Sequence, residues 1–258
     1  MDLFLKDSVA CVAGSSRGIG RAIAQAFLKE GARVVVAGRD KSALAQTERE
    51  LAEEFGSENV LGCAGDLTED AHLSTVLAQV IHRWGRIDCV IANVGSGTAP
   101  RGWQLTQSDW NAAFDVNLWS GVRLVNAVLP AMIEAQHGSI IFIASIAALE
   151  SLDAPLPYST AKTALVSYSK NLSRQVGVHG IRVNCVAPGN ILFPGGSWEK
   201  KLAERREHFQ HYIATEVPLR RFGTPEEIAS LVVFLGSRCA SFITGACLTV
   251  DGGQTRGI

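Results

Sequence analysis

Short runs of consecutive apolar residues, many of them β-branched, alternate along this chain with longer segments in which apolar positions recur every three or four residues. The runs cover 9–13, 33–37, 60–64, 87–92, 139–144, 181–186 and 247–250. Runs that are apolar at nearly every position suit parallel strands covered on both faces. Between them the period lengthens. Ile19, Ile23, Ala26 and Phe27 form one stripe, with Arg21, Gln25 and Lys29 turned away. Leu73, Val76, Leu77, Val80, Ile81 and Trp84 form a second. Thr224-Pro225-Glu226-Glu227 reads as a helix start: a capping hydroxyl, proline in the first turn, then acids at the positive end of the dipole. The alternation predicts an α/β fold with right-handed crossovers: a doubly wound sheet of about seven mostly parallel strands with helices on both faces. No repeat, low-complexity stretch or linker divides the chain, so residues 1–258 read as a single domain with a loop near 190–215.

Composition narrows the function. At 47% hydrophobic the chain can build a sizeable core, and a formal net charge of −1 gives it no basic footprint for nucleic acid. No uninterrupted apolar run reaches the roughly 18–20 residues that a bilayer requires, so no membrane partner is expected. The start, Met1-Asp2-Leu3-Phe4-Leu5-Lys6-Asp7, lacks the charged-then-apolar pattern of a secretory signal. Six cysteines are scattered without metal spacing, most of them inside apolar runs, and read as reduced core thiols of a cytoplasmic protein. No metal site is expected: His208 and His211 share a helix face, but no carboxylate or cysteine joins them.

Chemistry enters directly after the first run, at Gly14-Ser15-Ser16-Arg17-Gly18-Ile19-Gly20. A lone glycine pattern is an ordinary tight turn. Between a strand and a helix it lets backbone N–H groups approach a pyrophosphate at the helix N-terminus. The second strand ends in Gly38-Arg39-Asp40. An acid there binds the free ribose of NAD, whereas arginine accommodates the 2′-phosphate of NADP. Arg17 and Arg39 together favour NADP(H) over NAD(H). Asp40 is the competing residue, able to read the ribose if the strand runs one or two residues further.

Tyr158 and Lys162 lie four apart, on one face of a helix that Pro155 and Pro157 start at about Tyr158. A cation beside a phenol, both near the positive end of the helix dipole, is expected to lower the tyrosine pKa toward the range useful for general acid–base work. Alone, this spacing equally describes an amphipathic helix with a surface lysine.

Taken together these residues resemble the short-chain dehydrogenase/reductase family in its compact Rossmann-type form, and the resemblance covers the whole chain. Gly14 to Gly20 looks like the family's glycine motif, and Asp66-Leu67 like the pair that contacts adenine. Asn93-Val94-Gly95 resembles the Asn-Ala-Gly stretch that lines the cofactor, and Pro188-Gly189 with Ile191 the loop at the nicotinamide. Asn117, Ser145, Tyr158 and Lys162 match the four catalytic positions in order and spacing. Ala13 and Val94 depart from the usual threonine and alanine, neither at a group that moves a proton. The resemblance implies an oxidoreductase passing a hydride between NADP(H) and a carbonyl or alcohol. Tyr158 would exchange the proton and Ser145 would hold the substrate oxygen. Lys162 would hold the nicotinamide ribose as well as tune the tyrosine, and Asn117 would anchor a water. An NAD-dependent alcohol or sugar dehydrogenase and a non-catalytic NADP-binding regulator are the competing readings.

Family members often form homotetramers, pairing the helix after Trp110 with the one after Tyr158. Both carry more apolar surface here than one sheet contact needs. Carrier-protein ketoacyl reductases are broadly similar, down to Arg174, although Pro130 stands where a basic docking residue is expected. Segments 96–104, 147–156 and 190–212 are expected to wall the substrate pocket. The last combines Phe193, a flexible Gly195-Gly196 and Trp198 with Lys200, Lys201, Arg205 and Arg206, which suits an acidic or acyl-carrier substrate or else a solvated helix face.

Overall fold

The computed structural model describes residues 2–65 and 70–257. Strands β1 (Val9–Ala13), β2 (Arg33–Gly38), β3 (Val60–Ala64), β4 (Cys89–Ala92), β5 (Gly138–Ile143), β6 (Ile181–Pro188) and β7 (Cys247–Val250) form one sheet. Its order is β3-β2-β1-β4-β5-β6-β7, with every neighbouring pair parallel. Direction reverses between β1 and β4, which makes their carboxyl ends the switch point at which ligands bind in such sheets.

Side chains along β1 alternate between two cores. Val9, Cys11 and Ala13 face one layer, Ala10 and Val12 the other. The first layer is built from α3 (Asp70–Trp84), α5 (Ser120–Ala135) and α6 (Leu156–Val176), whose Val80, Val125, Val128, Met132, Ala161 and Leu165 are buried. The second is built from α1 (Gly18–Lys29), α2 (Lys41–Phe55) and α8 (Pro225–Gly236). Phe27 of α1 is fully buried against α8, where a Cβ on Gly236 would stand 2.8 Å from its ring. Burying such a ring stabilises by about 1.5–3 kcal/mol, so this close approach depends on a glycine. Within the α3 stripe Leu73, Val76 and Val80 are buried, but Ile81 is 40% exposed, because the stripe is wider than the sheet face it covers.

Some boundaries differ from the pattern. β4 begins at Cys89 rather than 87, after buried Asp88, whose carboxylate accepts the Val9 amide at 2.8 Å. α8 starts as read, with a capping box between Thr224 and Glu227. The segment after residue 190 contains α7 (Ser197–Glu216), interrupted at Arg205 by non-helical backbone. The helical stretch Gln107–Ala135 is long and apolar enough by composition to cross a membrane, which the run-length reading overlooked. Its Leu118, Leu124, Val125, Val128 and Met132 pack into the core, and that accounts for the apolar content.

Candidate active site

The glycine turn links β1 to α1 at the switch point. Gly14 and Gly18 take φ of +64° and +55°, conformations that favour glycine. Gly20 is needed for space, since a Cβ there would lie 2.2 Å from the Gly14 carbonyl oxygen. Asn93, just past β4, donates to the Ala13 and Gly14 carbonyls at 3.1 and 3.0 Å and so ties the two strand ends together. Thr47 holds the turn from α2 by donating to the Ser16 carbonyl at 2.9 Å. α1 has no side-chain cap and no acid in its first turn, so its positive end stays available to an anion. Ile19, half-buried in that turn, packs on the α1–α8 core. A dinucleotide fits this cradle.

β2 ends at Gly38, and Asp40 is the N-cap of α2, its Oδ1 accepting from the Ser42 and Ala43 amides at 3.0 and 3.1 Å. Those bonds, that from Ala43 first, together with the nearby Arg17 charge hold its carboxyl below the ordinary range. Asp40 is therefore committed to its helix. Arg17 and Arg39 are both exposed at this edge, and Arg17 also reaches the Gly195 carbonyl at 3.4 Å. Asp66 and Leu67, read as the adenine contact, lie outside the described residues.

The four remaining polar positions come from three parts of the fold, two of them from α6. Asn117 sits in a π-helical segment, Asp115–Trp119, between α4 (Gln107–Phe114) and α5. Such segments recur at functional sites because they re-aim one side chain. Asn117 is buried; its Oδ1 accepts the Ser96 amide at 2.9 Å, and its Nδ2 donates to the Ser96 and Ala113 carbonyls. Ser145 lies two residues past β5 and caps a short turn, accepting from the Ala147 amide at 3.2 Å. Helix α6 begins at Leu156 rather than at Tyr158, because Pro155 serves as N-cap and Pro157 occupies the first turn. Tyr158 is half-buried and Lys162, one turn on, is 3% exposed. Gly95 marks where Lys162 and Asn117 meet: a Cβ there would lie 2.9 Å from Lys162 Nζ and 3.2 Å from Asn117 Oδ1.

The electrostatics depart from the sequence reading. Burial pushes the Tyr158 phenol above its ordinary value, while the Ser145 hydroxyl pulls the other way. Lys162 falls from 10.5 to about 8, chiefly through burial. Its Nζ donates to the Ile143 carbonyl at 2.8 Å. Desolvation disfavours both charges, so each member of the pair moves toward its neutral form.

Pro188 closes β6 and Gly189 follows, where a Cβ would stand 2.8 Å from Asp251. Ile191 is buried and bridges to Gly223. Beyond it the Phe193 ring lies on the glycine turn, 2.5 Å from where a Gly18 Cβ would be. His208, His211 and Arg174 are exposed on their helices.

A family model described as Enoyl-(Acyl carrier protein) reductase matches residues 13–255. The 3-oxoacyl-[acyl-carrier-protein] reductase FabG of Chlamydia muridarum is 35% identical, over 98% of this chain and all of the relative. The chain belongs to the short-chain dehydrogenase/reductase family. It is an oxidoreductase of that family. The uncharacterized oxidoreductase YvrD of Bacillus subtilis is 34% identical over the whole of both chains. Among solved structures, L-sorbose reductase from Gluconobacter frateurii, complexed with NADPH and L-sorbose, superposes with a TM-score of 0.93 at 34% identity, covering both chains fully. A 7α-hydroxysteroid dehydrogenase complexed with NADH and 7-oxo glycochenodeoxycholic acid gives 0.90 at 30% identity, covering 99% of this chain and 97% of that one.

Three contacts at the site's rim escaped the sequence reading. Arg101 pairs with Asp153 at 2.6 Å, joining the loop after β4 to the loop before α6. Gln254, buried near the C-terminus, bridges Asn190 at 2.6 Å and the Tyr212 hydroxyl at 2.7 Å. Glu150 accepts from the Arg256 and Gly257 amides. Each joins segments far apart in the chain, and no local pattern signals such a pair.

Proposed function

We propose that this chain is an NADP-dependent carbonyl reductase of ketone or 3-oxoacyl type, with Asn117, Ser145, Tyr158 and Lys162 as its catalytic set. The reading rests on one observation above all: Asn117 and Lys162 converge on Gly95, and Lys162 lies one helical turn from Tyr158 on α6. A bound nicotinamide nucleotide would supply the hydride. Gly14, Ser16, Arg17, Gly18, Ile19 and Gly20 would hold its phosphates, with Arg17 and Arg39 at the 2′-phosphate. Asn93, Gly95, Pro188, Gly189 and Ile191 would line its nicotinamide half. Asp40, spent on the α2 cap, favours NADP over NAD.

In reduction the Tyr158 phenol gives its proton to the carbonyl oxygen. A phenol kept neutral by burial is a competent acid for that step. Ser145 donates to the same oxygen and fixes its position. Lys162, able to change charge near neutral pH, holds the ribose hydroxyls and assists the return of the proton. Both amide hydrogens of Asn117 are committed to carbonyls, so a proton-carrying water would bind the free lone pair of its Oδ1. The protein acts in the cytoplasm as a homotetramer, supported by its buried free thiols and the exposed apolar residues Trp119 and Leu156.

A ketone panel assayed with NADPH and NADH tests the reading. Tyr158→Phe is expected to lose turnover by at least about a hundredfold while binding NADPH nearly as the wild type does. A Tyr158→Phe enzyme with wild-type kcat would exclude it.

A further inference from the structure

Two of the six cysteines face each other across neighbouring strands. In the parallel pairing of β6 with β7, Cys185 stands in register with Cys247. The backbone fixes that register: the Cys185 amide donates to the Ala246 carbonyl at 2.8 Å, and the Gly245 amide to the Val183 carbonyl at 2.7 Å. In-register residues of neighbouring strands share one face of the sheet, and both thiols pack in the core layer that holds Ala161 and Leu165 of α6. Neighbouring strands lie about 4.8 Å apart, inside the roughly 4.4–6.8 Å between Cα atoms that a disulfide spans. Among the described residues no other strand pairing sets cysteine against cysteine. Cys11 stands between Val35 and Val90, Cys63 beside Ala37, and Cys89 between Ala10 and Ser139.

The two thiols differ in access. Cys185 is 1% exposed inside the sheet, whereas Cys247 is half-buried on β7, the edge strand. The Cys247 thiol and burial push Cys185 up, and Cys185 in turn holds Cys247 below its ordinary value. The outer thiol is therefore the readier to ionise and to meet an oxidant. The pair also borders the candidate site. Cys185 is in register with Phe142 of β5, whose neighbour Ile143 holds Lys162 Nζ through its carbonyl. β7 runs on to Val250, whose carbonyl accepts the Gly189 amide at 3.0 Å.

We propose that Cys185 and Cys247 are a redox modification site, forming a reversible disulfide within the chain when a peroxide supplies the oxidising equivalents. The Cys247 thiolate attacks one oxygen of hydrogen peroxide and breaks the O–O bond; the other oxygen leaves as hydroxide, which takes up the thiol proton to become water, and Cys247 is left as a sulfenic acid. Cys185 then attacks the Cys247 sulfur, its proton passing to the departing hydroxyl group, so that the S–S bond forms and a second water leaves. Two thiols are oxidised and one peroxide is reduced to water. The bridge holds its Cβ atoms about 3.8 Å apart, closer than the strand spacing of about 4.8 Å. It therefore draws β7 toward β6, and that strain makes it easy for a thiol reductant to undo. No nucleotide or carbonyl compound takes part, so the site stands apart from the reductase reading.

Thiol mapping by mass spectrometry tests the bridge. Cys239→Ser removes the exposed thiol at a surface position and leaves the other five cysteines in place. The folded variant is treated with a small excess of hydrogen peroxide, blocked with N-ethylmaleimide in denaturant and digested without reductant. Two thiols per chain are expected to disappear, and a peptide pair joined through Cys185 and Cys247, lighter by two hydrogens, to appear. Dithiothreitol should restore both thiols, and a non-reducing gel should show a single chain. Adding Cys185→Ala should stop the reaction at a Cys247 sulfenic acid, which dimedone traps. Retention of all five thiols, a bridge between chains or to another cysteine, or Cys247 passing to sulfinic acid while Cys185 stays reduced would each overturn the proposal.

Discussion

Replacing Lys162 with methionine is expected to destroy turnover and make the protein more stable. Lys162 is 3% exposed, and its ammonium pKa falls from 10.5 to about 8 on folding. At about 1.4 kcal/mol per decade of proton affinity, holding the charged form inside costs about 3 kcal/mol. Methionine has a similar unbranched stem and carries no charge into the core. It loses the hydrogen bond to the Ile143 carbonyl, present at 2.8 Å, which from a charged donor is worth about 1.5–3 kcal/mol. The net gain is at most about 1.5 kcal/mol, or up to roughly 3–6 °C in Tm for a chain of this size. The sign depends on pH. Below about 8 the amine is charged in folded and unfolded states alike, and the wild type carries the full penalty. Between about 8 and 10.5 the unfolded chain binds more protons than the folded one, so wild-type stability rises with pH. The advantage of Lys162→Met should therefore be greatest at neutral pH and shrink as pH approaches 10. Thermal unfolding of both proteins at pH 7 and 9.5 checks this, alongside a fall in kcat of roughly two orders or more. A variant that melts below the wild type at pH 7, or a gap that does not narrow with pH, would refute the argument.

Gly38→Asp with Arg39→Ala should turn cofactor preference toward NADH. A Cβ at Gly38 comes no nearer than 3.5 Å to another atom, Ser16 Oγ, and each arginine–phosphate contact is worth about 1.5–3 kcal/mol, or roughly tenfold to a hundredfold. Comparing kcat/KM for the two nucleotides checks this, and a wild type that prefers NADH would sink it. Gly20→Ala should raise the KM for the nucleotide and lower stability by about 1–3 kcal/mol, because its methyl would meet the Gly14 carbonyl oxygen at 2.2 Å; a wild-type melting curve would count against the close-approach reading. Trp119 and Leu156, 45% and 47% exposed, should be covered between subunits, so light scattering at micromolar concentration is expected to report an oligomer and not a monomer.

The sheet was legible because parallel strands covered on both faces are apolar at almost every position, and that signal survives without knowing what covers them. The ends of elements were less so. Pro155 and Pro157 pointed to a helix start at about Tyr158, whereas the backbone makes Pro155 the cap and starts α6 at Leu156, with Pro157 in its first turn. Asp40 looked able to read a ribose until β2 ended at Gly38 and the carboxylate turned to the Ser42 and Ala43 amides. The direction of the Tyr158 shift was illegible for a deeper reason. Spacing placed a cation one turn from the phenol, but only burial decides whether that cation's field outweighs the loss of water, and here desolvation moves both groups toward neutrality.

Substrate choice lies beyond sequence pattern for a related reason, and the same physics says where to look for it. Residues that hold a dinucleotide sit on turns dictated by the strands, so their spacing is fixed and readable. Residues on the loops after β4, β5 and β6, the expected walls of the substrate pocket, find one another across long separations: Arg101 and Asp153 are 52 residues apart, and Gln254 and Asn190 64. Such contacts obey charge and volume, which periodicity does not encode. Lys201 shows the consequence. By sequence it is one of four basic residues on α7. In the fold it is the one held half-buried, its Nζ 4.0 Å from the centre of the Trp198 ring. Its neighbours on the helix are exposed and can be neutralised by water and salt, whereas a half-buried ammonium over an aromatic face keeps more of its field, a difference that only the fold reveals.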